Sequence, residues 1–395
     1  MIMAITKFDS LYAGHIDMDN IGYSGTPVND RRFSNDQLCT VFDKMTVLAQ
    51  QMDTGGYDTL WMAEHHFQPE GYECLPNIVL LGVHLSHLTK NLRIGCGFNV
   101  APMWHPLRLA EDWATADVLT NGRVTFGVGR GYHTREIETF GSPLIDQDSN
   151  RELFEEQVEI MFKAFNNESF SHKGKHYTIP PDVPYRGYDL KEITLVPRPK
   201  STPVECWQPI QSASERAFKF MAKHGIKGII GGGSAEGGAM HEIIVRFQEA
   251  YQRAGADVSL GENLSIGYHF YIADSKQEAL ANAAGFYEEN LKMFGPLRLV
   301  QTLSDEQIEA MGDPKSAPYA GLPTIEDAET SGGFLAGPSE LIVEKLKALE
   351  EKYPGLDRVN VSLPMGTPQD VLVEQMQKFS EEVIPQFKNI TITAD

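Results

Sequence analysis

The chain has 395 residues, 42% hydrophobic and 22% charged, so it is able to bury a large core and is not disordered as a whole. Its 34 basic residues against 54 acidic ones leave a formal charge of -20, which repels nucleic-acid phosphates and anionic lipid. No basic-then-apolar leader and no run of ~18 uninterrupted apolar residues occurs. A cytoplasmic protein with neither nucleic acid nor membrane as partner is expected.

Ile5 to Leu11 reads as the first strand, followed by a helix from its N-cap Ser34 to Thr54, stopped by Gly55-Gly56. Thr59 to Ala63 is the second strand, Pro76 to Leu88 a helix, Leu92 to Asn99 the third strand, and Pro106 to Leu119 a helix with proline in its first turn. Val124 to Val128 is the fourth strand. Asp148 to Phe165 is an amphipathic helix on which Leu153, Val158, Met161, Phe162 and Phe165 recur at helical spacing. Residues 166–203, rich in Pro, Tyr, Lys and Gly, suit an excursion over the surface.

The alternation resumes with strand Val204 to Ile210, helix Glu215 to Lys223, strand Gly228 to Ile230, helix Met240 to Ala254 and strand Leu264 to Ile272. Gly285 to Gly337, punctuated by Gly295-Pro296, Asp313-Pro314 and Ala317-Pro318, is expected to be irregular. Strand Val359 to Leu363 and helix Gln369 to Val383 close the chain.

Eight strands separated by helices predict an α/β fold, a (β/α)8 TIM barrel built by residues 1–395 as one domain, with insertions after strands 4 and 7 at 166–203 and 285–337. An open Rossmann sheet needs a glycine-rich turn after strand 1, which Tyr12 to Tyr23 does not supply. Barrel active sites lie at the C-terminal strand ends, so the 285–337 insertion is placed to serve as a lid.

Trp61-Met62-Ala63-Glu64-His65-His66-Phe67 ends strand 2 at that rim. Alternation puts Glu64 and His66 on one side and His65 on the other, so the three cannot share a metal on a regular strand. Acid–base work or hydrogen bonding to a cofactor is expected of His65, Glu64 and His66 instead. Cys39, Cys74, Cys96 and Cys206 are scattered, with no CxxC pair, so they are expected to be reduced, and no metal site is expected.

At the end of strand 4, Gly127 to Tyr132 combines glycines that admit a bulky group with Arg130, which can reach an anion; Arg151 follows near the next helix N-terminus. Ser212 and Ser214 open the helix after strand 5, either as N-caps or as phosphate ligands.

Taken in order, Glu64-His65-His66-Phe67, His105-Pro106, Glu111-Asp112 through Leu119 to Gly122-Arg123, Gly127 to Gly131, Phe140-Gly141 and finally Val383-Ile384-Pro385 resemble landmarks of the bacterial luciferase-like flavin-dependent monooxygenases. The resemblance implies reduced FMN, supplied as FMNH2 by a separate NAD(P)H-dependent flavin reductase, and O2, which form a C4a-(hydro)peroxyflavin that oxygenates a small organic substrate. It implies a base in His65, tuned by Glu64 and His66. Phosphate contacts are implied for Arg130, Arg151, Ser214 and its helper Ser212, and a cis peptide at Gly97-Phe98 beside the flavin, with Gly129 and Tyr132 in the same cofactor site.

Gly129 stands where the luciferases proper have a reactive cysteine, so light emission is not expected. A homodimer or larger assembly is implied, through the helices that carry Ile78, Leu81, Leu85, Leu109, Trp113 and Ala116. The alternative functions are a deazaflavin- or flavin-dependent reductase or dehydrogenase of the same superfamily, and a flavin-binding protein without turnover.

Overall fold

Short apolar strands that alternate with helices close on themselves in the computed structural model, which describes residues 5–231, 239–300 and 302–388. The strands are β1 (Lys7–Tyr12), β2 (Thr59–Met62), β3 (Arg93–Cys96), β4 (Val124–Gly129), β5 (Cys206–Ile210), β6 (Lys227–Gly231), β7 (Leu264–Ile272) and β8 (Arg358–Ser362). Each pairs in parallel with the next, and β8 returns to β1 with Lys7 opposite Arg358. The expected (β/α)8 barrel therefore forms, without a free edge.

Outside it run α1 (Asn35–Gly55), α2 (Ile78–Leu88), α3 (Pro106–Leu119), α4 (Gln147–Asn166), α5 (Glu215–His224), α6 (Ala239–Arg253), α7 (Lys276–Phe294), α8 (Ser339–Lys352) and α9 (Gln369–Lys378). Local chemistry sets their ends. Ser34 and Gln37 form a reciprocal capping box at the start of α1, and Gly56, at φ 74°, ends it in the left-handed conformation that lacks a Cβ penalty. Val41, Met45, Leu48 and Met52, three or four residues apart, form its buried face.

The barrel interior is closed at the N-terminal strand ends. Trp61 points inward and donates to Asp9 Oδ2 at 3.1 Å, and its ring fills the space where a side chain on Gly95 would sit: a Cβ there would come within 2.2 Å of the indole. Beside it Arg358 lies 2.8 Å from both Asp9 oxygens and from Asp58 Oδ2, with its guanidinium over Trp207. Burial pushes the Asp9 carboxyl up to about 6 despite the arginine.

The 166–203 excursion is the expected surface segment, with two short antiparallel ribbons at His172–Lys173 with Thr178–Ile179 and at Pro184–Tyr185 with Tyr188–Asp189. The 285–337 segment is not irregular. It begins inside α7, which runs to Phe294, and continues through helices Asp305–Ala310 and Ile325–Thr330 to a strand, Phe334–Gly337, paired with β7. Tyr23, Leu291, Met311, Ala317 and Leu322 give it a small core of its own.

Ile78, Leu81, Leu85, Leu109, Trp113 and Ala116 are all buried within this one chain, because that face of α2 and α3 packs on the barrel, so these six side chains are not available to a second copy. All four cysteines are unpaired, and no helix among the described residues is long and apolar enough to cross a membrane.

Candidate active site

At the C-terminal strand ends a cavity of about 260 Å³ is lined by Glu64, His65, Gly97, Phe98, Gly129, Arg130, Tyr132, Arg151, Ser212 and Ser214, every predicted site residue except His66. Leu11, Pro209, Phe218 and Phe294 supply apolar wall. The Gly97–Phe98 peptide is cis, as the family resemblance implies.

One end of the cavity is basic. Arg130 is half-buried and donates to Asn150 Oδ1 at 3.3 Å, while Arg151 has no hydrogen-bond partner among the described residues. Burial, and then the charge of Arg151, pull the Arg130 pKa down, with Glu155 opposing them only in part. Ser214 caps α5, accepting from Ala217 N at 3.4 Å, and Ser212 precedes it. Free N–H groups at this helix start and two guanidinium groups make an anion site.

The other end holds His65. Its Nδ1 lies 3.3 Å from both oxygens of Glu136, and its Nε2 lies 3.0 Å from the Tyr132 hydroxyl and 3.3 Å from Glu73 Oε1. Tyr132 donates to Glu73 Oε1 at 2.6 Å, and His133 Nε2 sits 2.8 Å from the other Glu73 oxygen. Burial disfavours charge on His65, but Glu73, Glu136 and Glu64 outweigh it and hold the imidazole pKa above its usual value. Burial likewise opposes ionisation of Glu73 and Glu136, yet His65 and their other donors keep both carboxyls below the ordinary range. Burial first, and Glu73 next, drive the Tyr132 hydroxyl well above its ordinary value.

Glu64 and His66 lie beyond the end of β2, with His66 Nε2 3.1 Å from Glu64 Oε1, and Glu64 lines the cavity together with His65, so the expected separation by strand alternation does not hold where the strand has already ended. Glu64 also accepts from Val100 N at 2.6 Å and Trp104 Nε1 at 2.8 Å, so it ties the β2 end to the segment after β3. His66 packs against Phe140 behind the cavity wall.

Sequence reasoning missed Glu73, His133 and Glu136. Glu73 and His133 lie in loops and Glu136 in the one-turn helix Thr134–Ile137, and only a carboxylate four residues after Tyr132 was a signal for one of them. His65, His133 and Glu136 place ligand-type atoms within 4.8 Å of one another. Each is already engaged: His133 with Glu73, and Glu136 with His65, the His66 N–H at 3.0 Å and Gln68 Nε2 at 3.1 Å. The arrangement is a hydrogen-bonded acid–base cluster.

The chain matches the luciferase-like monooxygenase family over residues 20–354. It is 25% identical over 356 residues, 88% of this chain and 90% of the relative, to the oxygenase component of the flavin-dependent trigonelline monooxygenase of Acinetobacter baylyi. Among solved structures it is similar, with a TM-score of 0.70 and 20% identity, to the oxygenating constituent of 3,6-diketocamphane monooxygenase from Pseudomonas putida, a type II Baeyer-Villiger monooxygenase in complex with FMN, covering 98% of this chain and 99% of that one. Similarity to the coenzyme F420-dependent tetrahydromethanopterin reductase of Methanopyrus kandleri gives a TM-score of 0.63 at 16% identity, over 98% and 100% of the two chains. At such identities the structural likenesses speak for the fold alone. The family match covers most of the chain and agrees with the closed barrel and its strand-end cavity, and the chain belongs to the luciferase-like monooxygenase family.

Proposed function

We propose that this chain is the oxygenase of a two-component system in the cytoplasm, taking reduced FMN from a separate NAD(P)H-dependent flavin reductase and using O2 to oxygenate a small organic substrate. The observation that carries the reading is the polarity of one cavity, with Arg130 and Arg151, neither in a salt bridge among the described residues, at one end and the His65 cluster at the other. A phosphate ester joined to a planar redox ring fits that order. Arg130, Arg151, Ser212 and Ser214 would hold the phosphate, and Gly97, Phe98, Gly129 and Tyr132 the ring end.

Reduced flavin, when bound, supplies the two electrons with which O2 is divided between product and water. The chain's own residues do the rest. Phe98, Ile210, Phe218 and Phe294 line the cavity and displace water from it, and His65 handles a proton there. The trigonelline relative supports the reaction class, and in this reading the substrate is selected by the chain's own cavity lining.

The test is to mix the purified chain with FMN, NADH, a flavin reductase and a panel of small carbonyl and apolar compounds, under isotopically labelled dioxygen. Product bearing one labelled oxygen, formed only when chain and reductase are both present, is expected. Turnover with a reduced deazaflavin and no O2 consumption would overturn the proposal.

A further inference from the structure

The hydrogen bonds around His65 determine its charge. The Tyr132 hydroxyl has one proton, and at 2.6 Å from Glu73 Oε1 it gives that proton to the carboxylate. Toward His65 Nε2, at 3.0 Å, the hydroxyl therefore presents a lone pair, so Nε2 has to be the donor. On the other side, Nδ1 faces both oxygens of Glu136 at 3.3 Å, and Oε1 of that carboxylate also accepts from the His66 N–H and Gln68 Nε2. Against its burial, these donors and the His65 ring hold the carboxyl below its ordinary range, so Oε2 carries no proton near neutrality and Nδ1 is the donor there as well. An imidazole that donates through both nitrogens is an imidazolium.

We infer that Glu73, Glu136 and Tyr132 are positioning residues that fix His65 as a cation, so that it gives a proton in the reaction where the family resemblance implies a base. The inference rests on the oxygenase reading for its reaction, though not for its charge state. In the step itself, a His65 N–H bond breaks and an O–H bond forms on the oxygen anion that two-electron reduction of O2 generates. The electron pair stays on the ring nitrogen, and water restores the proton after turnover.

The groups that face His65 all favour this state or leave it unopposed. Glu73 comes from the loop between β2 and α2, Glu136 from the one-turn helix Thr134–Ile137, and Glu64 from the end of β2. Tyr132 and His133 follow β4, and His133 is directed to Glu73. Arg135 is turned away to Glu70 and Gln68, so no arginine competes at the ring.

The decisive measurement is the ring-nitrogen NMR spectrum of nitrogen-labelled histidine in the cofactor-free protein at about pH 8, where an unperturbed histidine is almost wholly neutral. His65 is assigned by the signal that His65→Asn removes. Two protonated ring nitrogens are expected, and one bare nitrogen at that pH overturns the inference. Glu73→Gln and Glu136→Gln are each expected to lower the His65 titration midpoint by about one pH unit or more, as loss of an adjacent opposite charge does. The alkaline limb of product formation should move with it, and a midpoint within experimental error of the unaltered protein in both variants also overturns it. Failure to oxygenate any substrate, with a doubly protonated ring, would refute the oxygenase reading and leave the charge assignment standing.

Discussion

Arg151 faces the cavity with no hydrogen-bond partner among the described residues, so its removal should be felt by a bound anion and hardly by the fold. A charge-assisted bond to phosphate contributes about 1.5–3 kcal/mol, which makes the expected loss of FMN affinity roughly ten-fold or more for Arg151→Ala and for Arg130→Ala. Titration of flavin fluorescence measures it, and unchanged affinity in both variants would remove the phosphate site. These arginines were legible in the sequence because each stands at a fixed place on the rim, one at a strand end and one near a helix start. Glu73, His133 and Glu136 were not. No periodicity or spacing relates Glu73 to Glu136, and only closure of two loops over His65 brings them together.

Helix α7 is the element the sequence concealed. Gly285 reads as a breaker, since glycine costs a helix about 1 kcal/mol relative to alanine, yet it lies mid-helix with a Cβ position 3.6 Å from the Ile21 side chain. The barrel strands were easier, because apolar runs between glycine- and proline-bounded turns leave few other readings. What anchors α7 is a buried ionic knot. Glu289 accepts from Tyr72, from Arg31 at 3.0 Å, from Lys292 at 2.8 Å and from the Gly22 N–H at 2.9 Å, and Lys292 also donates to Gly22 O and Thr26 O. Glu289→Ala would strand two buried cations, and the expected cost is about 3–5 kcal/mol of unfolding free energy. Urea denaturation reads it, and a loss below about 1 kcal/mol would mean that apolar packing alone holds the helix.

At the scale of the whole molecule, the outward faces of α2 and α3 carry Leu80 at 69% exposure, Leu119 at 58%, Val118 at 46% and Leu88 at 40%. The expectation of a homodimer through these two helices moves from the residues that proved buried to these four. Light scattering at micromolar concentration is expected to give a dimer mass, and Leu80→Asp combined with Leu119→Asp a monomer mass with an unchanged circular dichroism spectrum. A monomeric unaltered protein would refute it. The floor of Asp9, Arg358, Trp61 and Trp207 has a further consequence. Among the described residues the base of this vessel is stoppered, so two guests that enter from the rim keep a queue: whichever sits further in is first to arrive and last to leave.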